Sequence, residues 1–112
     1  MTEETIRNVV KIFAEEAKRI YGSKLKEIIL YGSCARGGDF DSDSDIDLLV
    51  LLDVPPEKIS EERKQIFDIT DYLDLDYGTV LAPVFQNYMI YKKYIPVSAF
   101  YQNVQKEGVK IA

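Results

Sequence analysis

The sequence predicts an α+β fold, in which a small mixed β-sheet is backed by helices. Two apolar segments, LKEIILY and IDLLVLL, have the length of strands. Other segments repeat apolar residues every three or four positions, which is the spacing of one helical face. The chain has 112 residues, of which 46% are hydrophobic, and this supports one core but leaves no room for a linker and a second domain. We therefore expect one domain over residues 1–112.

The first half of the chain predicts one helix and two strands. Apolar residues recur at helical spacing from Thr2 to Tyr21, and Gly22 ends that helix. The strands are expected at Leu25–Tyr31 and Ile46–Leu52. Because the second strand is almost continuously apolar, we expect it to be covered on both faces.

The second half predicts a helix, a strand and a terminal helix. Helical spacing continues over Pro56–Tyr72, and Leu75–Phe85 has the pattern of a third strand. The segment Asn87–Tyr94 fits neither pattern clearly. Ser98 is placed to cap a helix that ends before Gly108. The order of elements is therefore α, β, β, α, β, α.

The composition excludes several kinds of chemistry. The chain has no histidine and one cysteine, Cys34, so histidine-based acid–base catalysis, the common zinc sites and an internal disulfide are excluded. A net charge of −5 argues against direct binding of nucleic acid, which requires a basic surface. No apolar run approaches the roughly 18 residues of a membrane span. The acidic, amphipathic start lacks the features of a secretory signal, so we expect a cytoplasmic protein without membrane contact.

Five aspartates alternate along the segment before the second strand, and the last two are the best candidates for a metal site. Asp45 and Asp47 are one residue apart at the start of a strand, so both side chains point to one face, roughly 6.5 to 7 Å apart. Mg²⁺ or Mn²⁺ suits such oxygen ligands, and a pair of ions supports phosphoryl or nucleotidyl transfer. A pair of surface acids on an edge strand would show the same spacing. The other three, Asp39, Asp41 and Asp43, are interpreted as solvated loop residues.

A second candidate site lies where the first strand ends. Gly32-Ser33 follows that strand, and CARG is expected to begin a short helix, so that backbone N–H groups and a hydroxyl can face a phosphate. Gly-Ser after a strand is also a common turn, which leaves the phosphate site open on this motif alone. Arg36 is placed either to contact a phosphate oxygen or to pair with the nearby aspartates.

Together these motifs resemble a known family. Gly32-Ser33, the Ala-Arg-Gly at 35–37 and the Ser-Asp-Ile-Asp-Leu at 44–48 resemble the Gly-Ser, spacer, Asp-x-Asp signature of the polymerase-beta-like nucleotidyltransferase superfamily, and its minimal nucleotidyltransferases in particular. The spacer is one residue longer than usual, so Asp43-x-Asp45 is an alternative pair, although the following apolar strand favours Asp45 and Asp47. The segments LDYGTVLAPVF and AFYQNVQKEGVKI extend the resemblance over nearly the whole chain.

The resemblance implies a role for each candidate residue. Ser33 and the Gly32 backbone would hold the outer phosphates of a nucleoside triphosphate, ATP in the leading interpretation. Asp45 and Asp47 would hold two Mg²⁺ ions, or Mn²⁺. In that family a third carboxylate on a neighbouring strand completes the metal site and helps position the attacking hydroxyl.

Two aspartates at the predicted third strand are candidates for the third carboxylate. Asp74 and Asp76 flank Leu75, and either would serve. We favour Asp76 because it lies inside the apolar run, whereas Asp74 stands at its boundary.

The resemblance also implies a biological role. Minimal nucleotidyltransferases of this kind act as antitoxins, form hetero-oligomers with a HEPN ribonuclease toxin and, in some cases, transfer AMP from ATP to a tyrosine of that toxin. This is the leading hypothesis. One alternative is an antitoxin that neutralises its partner by binding alone, and another is a free-standing enzyme that nucleotidylates a small molecule. The aromatic residues near the C-terminus either bind a partner or pack on the sheet; they are Tyr88, Tyr91, Tyr94, Phe100 and Tyr101.

Overall fold

The structure is a computed structural model that describes residues 2–36 and 44–112. The helices are α1 (Glu3–Tyr21), α2 (Ile59–Lys64), α3 (Phe67–Tyr77), α4 (Tyr88–Tyr94) and α5 (Ala99–Glu107), and the strands are β1 (Leu25–Tyr31), β2 (Ile46–Leu52), β3 (Leu81–Asn87) and β4 (Val109–Lys110). Short 3-10 turns at Gly22–Lys24 and Pro56–Lys58 lead into β1 and α2. Among the helices of the described ranges, none combines the length and apolar composition that a membrane span requires.

The strands form one mixed sheet in the order β3-β2-β1-β4. β1 pairs antiparallel with β2 and with β4, whereas β2 and β3 are parallel. Because parallel neighbours need a crossover connection, α2 and α3 carry the chain from the end of β2 back to the start of β3. The predicted fold class, a small mixed sheet backed by helices, is confirmed.

The sheet has a hydrophobic core on each face. One core contains the apolar face of α1, Leu73 of α3 and alternate residues of β1 and β2. The other core contains Ile29, Leu49 and Leu51 of the sheet, together with Tyr91 of α4 and Val104 of α5. Every residue of β2 except Asp47 is buried, so the expected cover on both faces of this strand is confirmed.

The first helix and the first two strands agree closely with the sequence-based boundaries. The Thr2 side chain accepts a hydrogen bond from the Thr5 backbone N–H and caps α1, and Gly22 ends the helix at a φ of 55°. The bounds of β1 and β2 coincide with the predicted ones. Ser98 caps α5 as expected, because its hydroxyl accepts from the Tyr101 N–H.

The region from Pro56 to Phe85 differs from the prediction. The single helix predicted there is two helices, separated at Gln65 and Ile66, and the Ile66 side chain is fully buried in the core. The second of them, α3, continues to Tyr77 and ends at Gly78 in the left-handed conformation. The strand predicted to begin at Leu75 therefore begins at Leu81.

The strand was predicted from the run LDYGTVLAPVF, whose first three residues belong to α3. In the helix, Leu73 is buried with 2% of its surface exposed, whereas Leu75 is 88% exposed. The apolar run that placed Asp76 inside a strand is thus the end of a helix.

The end of the chain completes the second face of the sheet. The ambiguous segment after β3 is the helix α4, which Asn87 caps by accepting from the Ile90 N–H. Tyr91 is buried against Tyr101, with ring centroids 5.1 Å apart, while Tyr94 and Phe100 remain partly exposed. Packing on the sheet therefore accounts for most of this aromatic cluster.

Candidate active site

The two aspartates at the start of β2 lie on one face of the sheet. Ile46 between them is fully buried in the core on the α1 side, whereas Asp45 is exposed and Asp47 is partly buried. Burial, and then the charge of Asp45, raise the pKa of Asp47 above its ordinary value. The shared face expected from strand geometry is therefore present, and the two carboxylates repel each other.

The Gly-Ser turn lies directly against Asp47. Gly32 has a φ of +75°, and a Cβ at this position would collide with the Asp47 carboxylate. Tyr31, the residue before it, is the register partner of Asp47 across the β1–β2 ladder. Glycine is thus required here by both backbone conformation and space. The fold brings together the two motifs that the sequence analysis treated as separate signals.

The residues after Gly32 form a turn as far as the structure describes them. The Ala35 N–H donates to the Gly32 carbonyl at 3.1 Å, and the Arg36 N–H donates to the Ser33 carbonyl at 3.2 Å. The helix expected to begin at CARG is therefore a turn up to Arg36. Residues 37–43 lie outside the described residues. Two predictions concern these residues and stay predictions: that Asp39, Asp41 and Asp43 are solvated, and that Asp43 and Asp45 are the alternative metal pair.

Cys34 connects the turn to the start of β2. Its thiol is buried and donates to the Asp45 carbonyl, with the sulfur 3.4 Å from the oxygen. Burial raises the pKa of this thiol most, a hydrogen bond with Ser33 opposes the shift, and the charges of Asp47 and Asp45 add to it. The cysteine therefore fixes the spacing between the two motifs as a neutral side chain.

Arg36 connects the turn to α5. Its Nη1 lies 3.2 Å from Oε2 of Glu107 at the end of that helix, and both side chains are exposed to a similar degree. The sequence analysis placed Arg36 either to contact a phosphate oxygen or to pair with the nearby aspartates, and this additional ion pair involves a residue 71 positions away. Sequence patterns carry no signal for such a contact.

The two candidates for the third carboxylate have different surroundings. Asp74 is partly buried, and its Oδ1 accepts from the Leu81 N–H and the Thr79 hydroxyl, both at 2.9 Å. Burial raises the pKa of Asp74 most; those two hydrogen bonds lower it, and the charges of Asp71 and Asp45 raise it further. Asp76 is exposed in the last turn of α3. The charge of Asp45 thus acts on Asp74.

The neighbouring strand does not supply an oxygen ligand beside Asp47. The register partner of Asp47 on β3 is Ala82, and the register partner of Ile46 is Leu81. Within residues 2–36 and 44–112, no group of three histidine, cysteine or acidic side chains converges on a space that would hold a metal ion. Among the residues that the structure describes, the carboxylate donors at this edge of the sheet are the Asp45 and Asp47 pair, with Asp74 nearby in α3.

Tyr31 is a further site residue that the sequence analysis did not identify. Burial, and then the charge of Asp47, raise its pKa, and its ring packs edge-on against Phe100 at 5.4 Å between centroids. The antiparallel pairing of β1 with β2 would have identified it, because a strand that ends one residue before Gly32 places Tyr31 opposite the start of β2.

Comparison with known proteins agrees with this geometry. Residues 10–110 match the family model of the nucleotidyltransferase domain. The chain is 35% identical over 106 residues to "Putative protein adenylyltransferase MJ0141" of Methanocaldococcus jannaschii, covering 95% of this chain and 98% of the relative. It is also 35% identical to "Putative protein adenylyltransferase MJ0604" of the same organism, covering 96% of each chain.

Solved structures share the fold at lower identity. A structure described as a "putative minimal nucleotidyltransferase" has a TM-score of 0.63 at 20% identity, covering 97% of this chain and 95% of that one. A toxin–antitoxin crystal structure with AMP-PNP has a TM-score of 0.52 at 19% identity, covering 91% of this chain and 72% of that one. The turn at Gly32, the carboxylates beside it and a family match over most of the chain lead to one conclusion: this chain is an enzyme of the nucleotidyltransferase domain family.

Proposed function

We propose that this enzyme transfers AMP from ATP to a tyrosine of a HEPN ribonuclease toxin and acts as its antitoxin. The observation that carries the proposal is the contact between the Gly32 turn and the Asp47 carboxylate, with Asp45 on the same face. A phosphate-binding turn beside paired carboxylates is the arrangement that nucleotidyl transfer requires.

The residues present fit divalent metal ions. Asp45 and Asp47 are hard oxygen donors of the type that Mg²⁺ and Mn²⁺ prefer. The raised pKa of Asp47 reflects burial and repulsion that a bound cation would relieve. We propose that these two residues hold two such ions, which when bound neutralise charge on the transferred phosphoryl group.

The chain's own groups would bind and orient the nucleotide. The Gly32 backbone and the Ser33 hydroxyl are proposed to hold the outer phosphates, with Arg36 as an additional cationic contact. The acceptor oxygen then forms a bond to the α-phosphorus while the bond to the β-phosphate oxygen breaks. Pyrophosphate leaves, and the phenolic proton passes to a carboxylate or to solvent.

The third carboxylate is proposed to orient the acceptor hydroxyl. The sequence analysis favoured Asp76 because it was expected inside the third strand, but Asp76 lies in the helix α3. Asp74 has better support, because its charge interacts with that of Asp45 and its Oδ1 is held by two hydrogen bonds. Asp74→Asn and Asp76→Asn form a matched pair. We expect only Asp74→Asn to abolish transfer while it preserves ATP binding.

The choice of AMP and of a toxin partner is supported by similar proteins. The curated relatives are named as protein adenylyltransferases, and one protein of the same fold is a toxin–antitoxin complex with an ATP analogue. The HEPN identity of the partner and the tyrosine acceptor follow from the family resemblance. The same resemblance predicts a hetero-oligomer.

The decisive experiment separates transfer from binding. Asp47→Asn should still form a complex with the HEPN partner, but mass spectrometry should show no added AMP on the partner and the toxin should remain active. Wild-type enzyme with ATP and Mg²⁺ is the positive control. An AMP adduct of undiminished amount with Asp47→Asn would refute the proposed mechanism.

A second candidate function is neutralisation by binding alone. The specific observation in its favour is that Ala82, and not a carboxylate, stands beside Asp47 on β3. A purely steric antitoxin would protect cells equally well as wild type and as Asp47→Asn, and the partner would carry no adduct with any nucleoside triphosphate.

A further inference from the structure

The outward face of α3 exposes apolar side chains that a small domain would ordinarily bury. Leu75, near the end of the helix, is 88% exposed, and Tyr72, three residues earlier, is 66% exposed. Val80, which follows the end of α3, is 53% exposed. We refer to these three residues, with Asp68 and Asp71 beside them, as the α3 surface.

The α3 surface leads directly to the candidate active site. The Val80 carbonyl accepts from the Ile46 N–H at 2.8 Å, which places Val80 beside the residue between Asp45 and Asp47. On the same helix, Asp74 interacts electrostatically with Asp45. A polypeptide that covers Leu75 and Val80 would therefore extend to the reacting groups.

The charge of this helix indicates what kind of polypeptide fits. The sequence of α3, FDITDYLDLDY, contains four aspartates and no lysine or arginine. Burying Leu75 and Tyr72 against an acidic partner would place like charges together, which costs affinity, whereas a basic partner gains from the same contact. Exposed aromatic and apolar residues with a charged border are typical of a protein interface.

We propose that the α3 surface docks the polypeptide acceptor, and that the acceptor presents lysine or arginine residues around an apolar side chain that covers Leu75. This inference rests on the proposed function for the identity of the docked polypeptide as the substrate. The docking itself needs no nucleotide, metal or transfer.

The test measures binding of a short synthetic peptide of lysine, leucine and tyrosine, and of its counterpart with glutamate in place of every lysine. The wild type should bind the basic peptide and not the acidic one. Leu75→Ser should weaken binding about tenfold, a typical loss for an important interface side chain. Asp68→Asn/Asp71→Asn should weaken it by a similar factor at low salt and by less at high salt.

Matched variants elsewhere on the surface provide the controls. Val97→Ser removes another apolar side chain that is 77% exposed, and Asp53→Asn/Glu57→Gln removes two exposed acids beyond the opposite end of β2. Both should bind the basic peptide as the wild type does. Equal losses in the α3 variants and these controls, or no binding of the basic peptide, would overturn the proposal.

Two further readouts keep the outcomes distinct. Light scattering of the wild type and Leu75→Ser reports whether a second copy covers the α3 surface, and a dimer that Leu75→Ser dissociates would overturn the choice of occupant. Nucleotide-free binding to the α3 surface together with an absence of AMP transfer would refute the proposed catalysis and leave the docking result standing. An absence of peptide binding at the α3 surface together with intact AMP transfer would refute the docking proposal and leave the proposed catalysis standing.

Discussion

Replacing Gly32 with alanine tests whether the position of the Asp47 carboxylate controls the reaction. Gly32 has a φ of +75°, and the added Cβ would collide with that carboxylate. Gly78 has a φ of +67°, but a Cβ there would meet nothing within 4 Å. Gly32→Ala and Gly78→Ala therefore share the backbone strain and differ in the collision.

The strain sets the expected loss of stability. An L-residue in the left-handed region costs about 1–2 kcal/mol, and this applies to both variants. For a domain of this size, that loss lowers Tm by about 4–8 °C. The collision adds little to it, because the Asp47 carboxylate is the end of a side chain that can rotate away. The rotation should instead appear in the reaction, since a displacement of about 1 Å lowers a rate on the order of a hundredfold.

Thermal unfolding and single-turnover AMP transfer, measured on both variants, separate the two effects. Gly32→Ala and Gly78→Ala should unfold at similar temperatures, while transfer falls on the order of a hundredfold only in Gly32→Ala. Gly22→Ala, at a φ of 55° with open space around it, is a second control far from the site. If Gly32→Ala transfers AMP as fast as Gly78→Ala, the contact between the turn and Asp47 has no part in the mechanism.

Three other experiments test individual contacts. Burial and a neighbouring charge raise the pKa of Asp47 in the folded state, so the ionised form of this residue destabilises the fold. In metal-free buffer near neutral pH, Asp47→Asn should therefore unfold at a higher temperature than the wild type. This difference in unfolding temperature should vanish as the pH falls below the pKa of a carboxyl in the unfolded chain. Since burial raises the pKa of the Cys34 thiol, a thiol reagent should label it slowly in the folded protein and quickly in urea, and equal rates would contradict its burial. Asn87→Ala removes a cap from Ile90 and a 2.6 Å hydrogen bond to the Val54 carbonyl, so denaturant unfolding should show a loss of about 2–3 kcal/mol.

The sequence predicted the elements whose signals are local. The bounds of β1 and β2 follow from apolar segments bounded by a glycine or a proline pair; α1 follows from helical spacing and a terminal glycine, and α5 from a capping serine and a terminal glycine. The juxtaposition of Gly32 with Asp47 was foreseen only through the resemblance. Geometrically it follows from the antiparallel register of two strands, which places Tyr31 opposite Asp47.

The contacts that the sequence did not predict depend on tertiary structure. The ion pair of Arg36 with Glu107 joins residues that only the folded sheet brings together. The extent of α3 depends on Gly78, whose left-handed conformation ends the helix, and on the Asp74 carboxylate, which accepts from the N–H of the first residue of β3. Local alternation of leucine and aspartate does not reveal either contact.

The misassigned segment is itself informative about function. As the start of the predicted strand, Leu75 and Tyr77 would share one face and Asp76 would lie on the other. In the helix α3, Leu73 is buried, the charge of Asp45 acts on Asp74, and Leu75 is exposed among acidic residues. A partly buried carboxylate costs stability, and such costs tend to remain where a site needs them. Helix formation at this position therefore trades local stability for a carboxylate near the paired aspartates and an apolar contact point beside them, which is what an enzyme that modifies another protein would require.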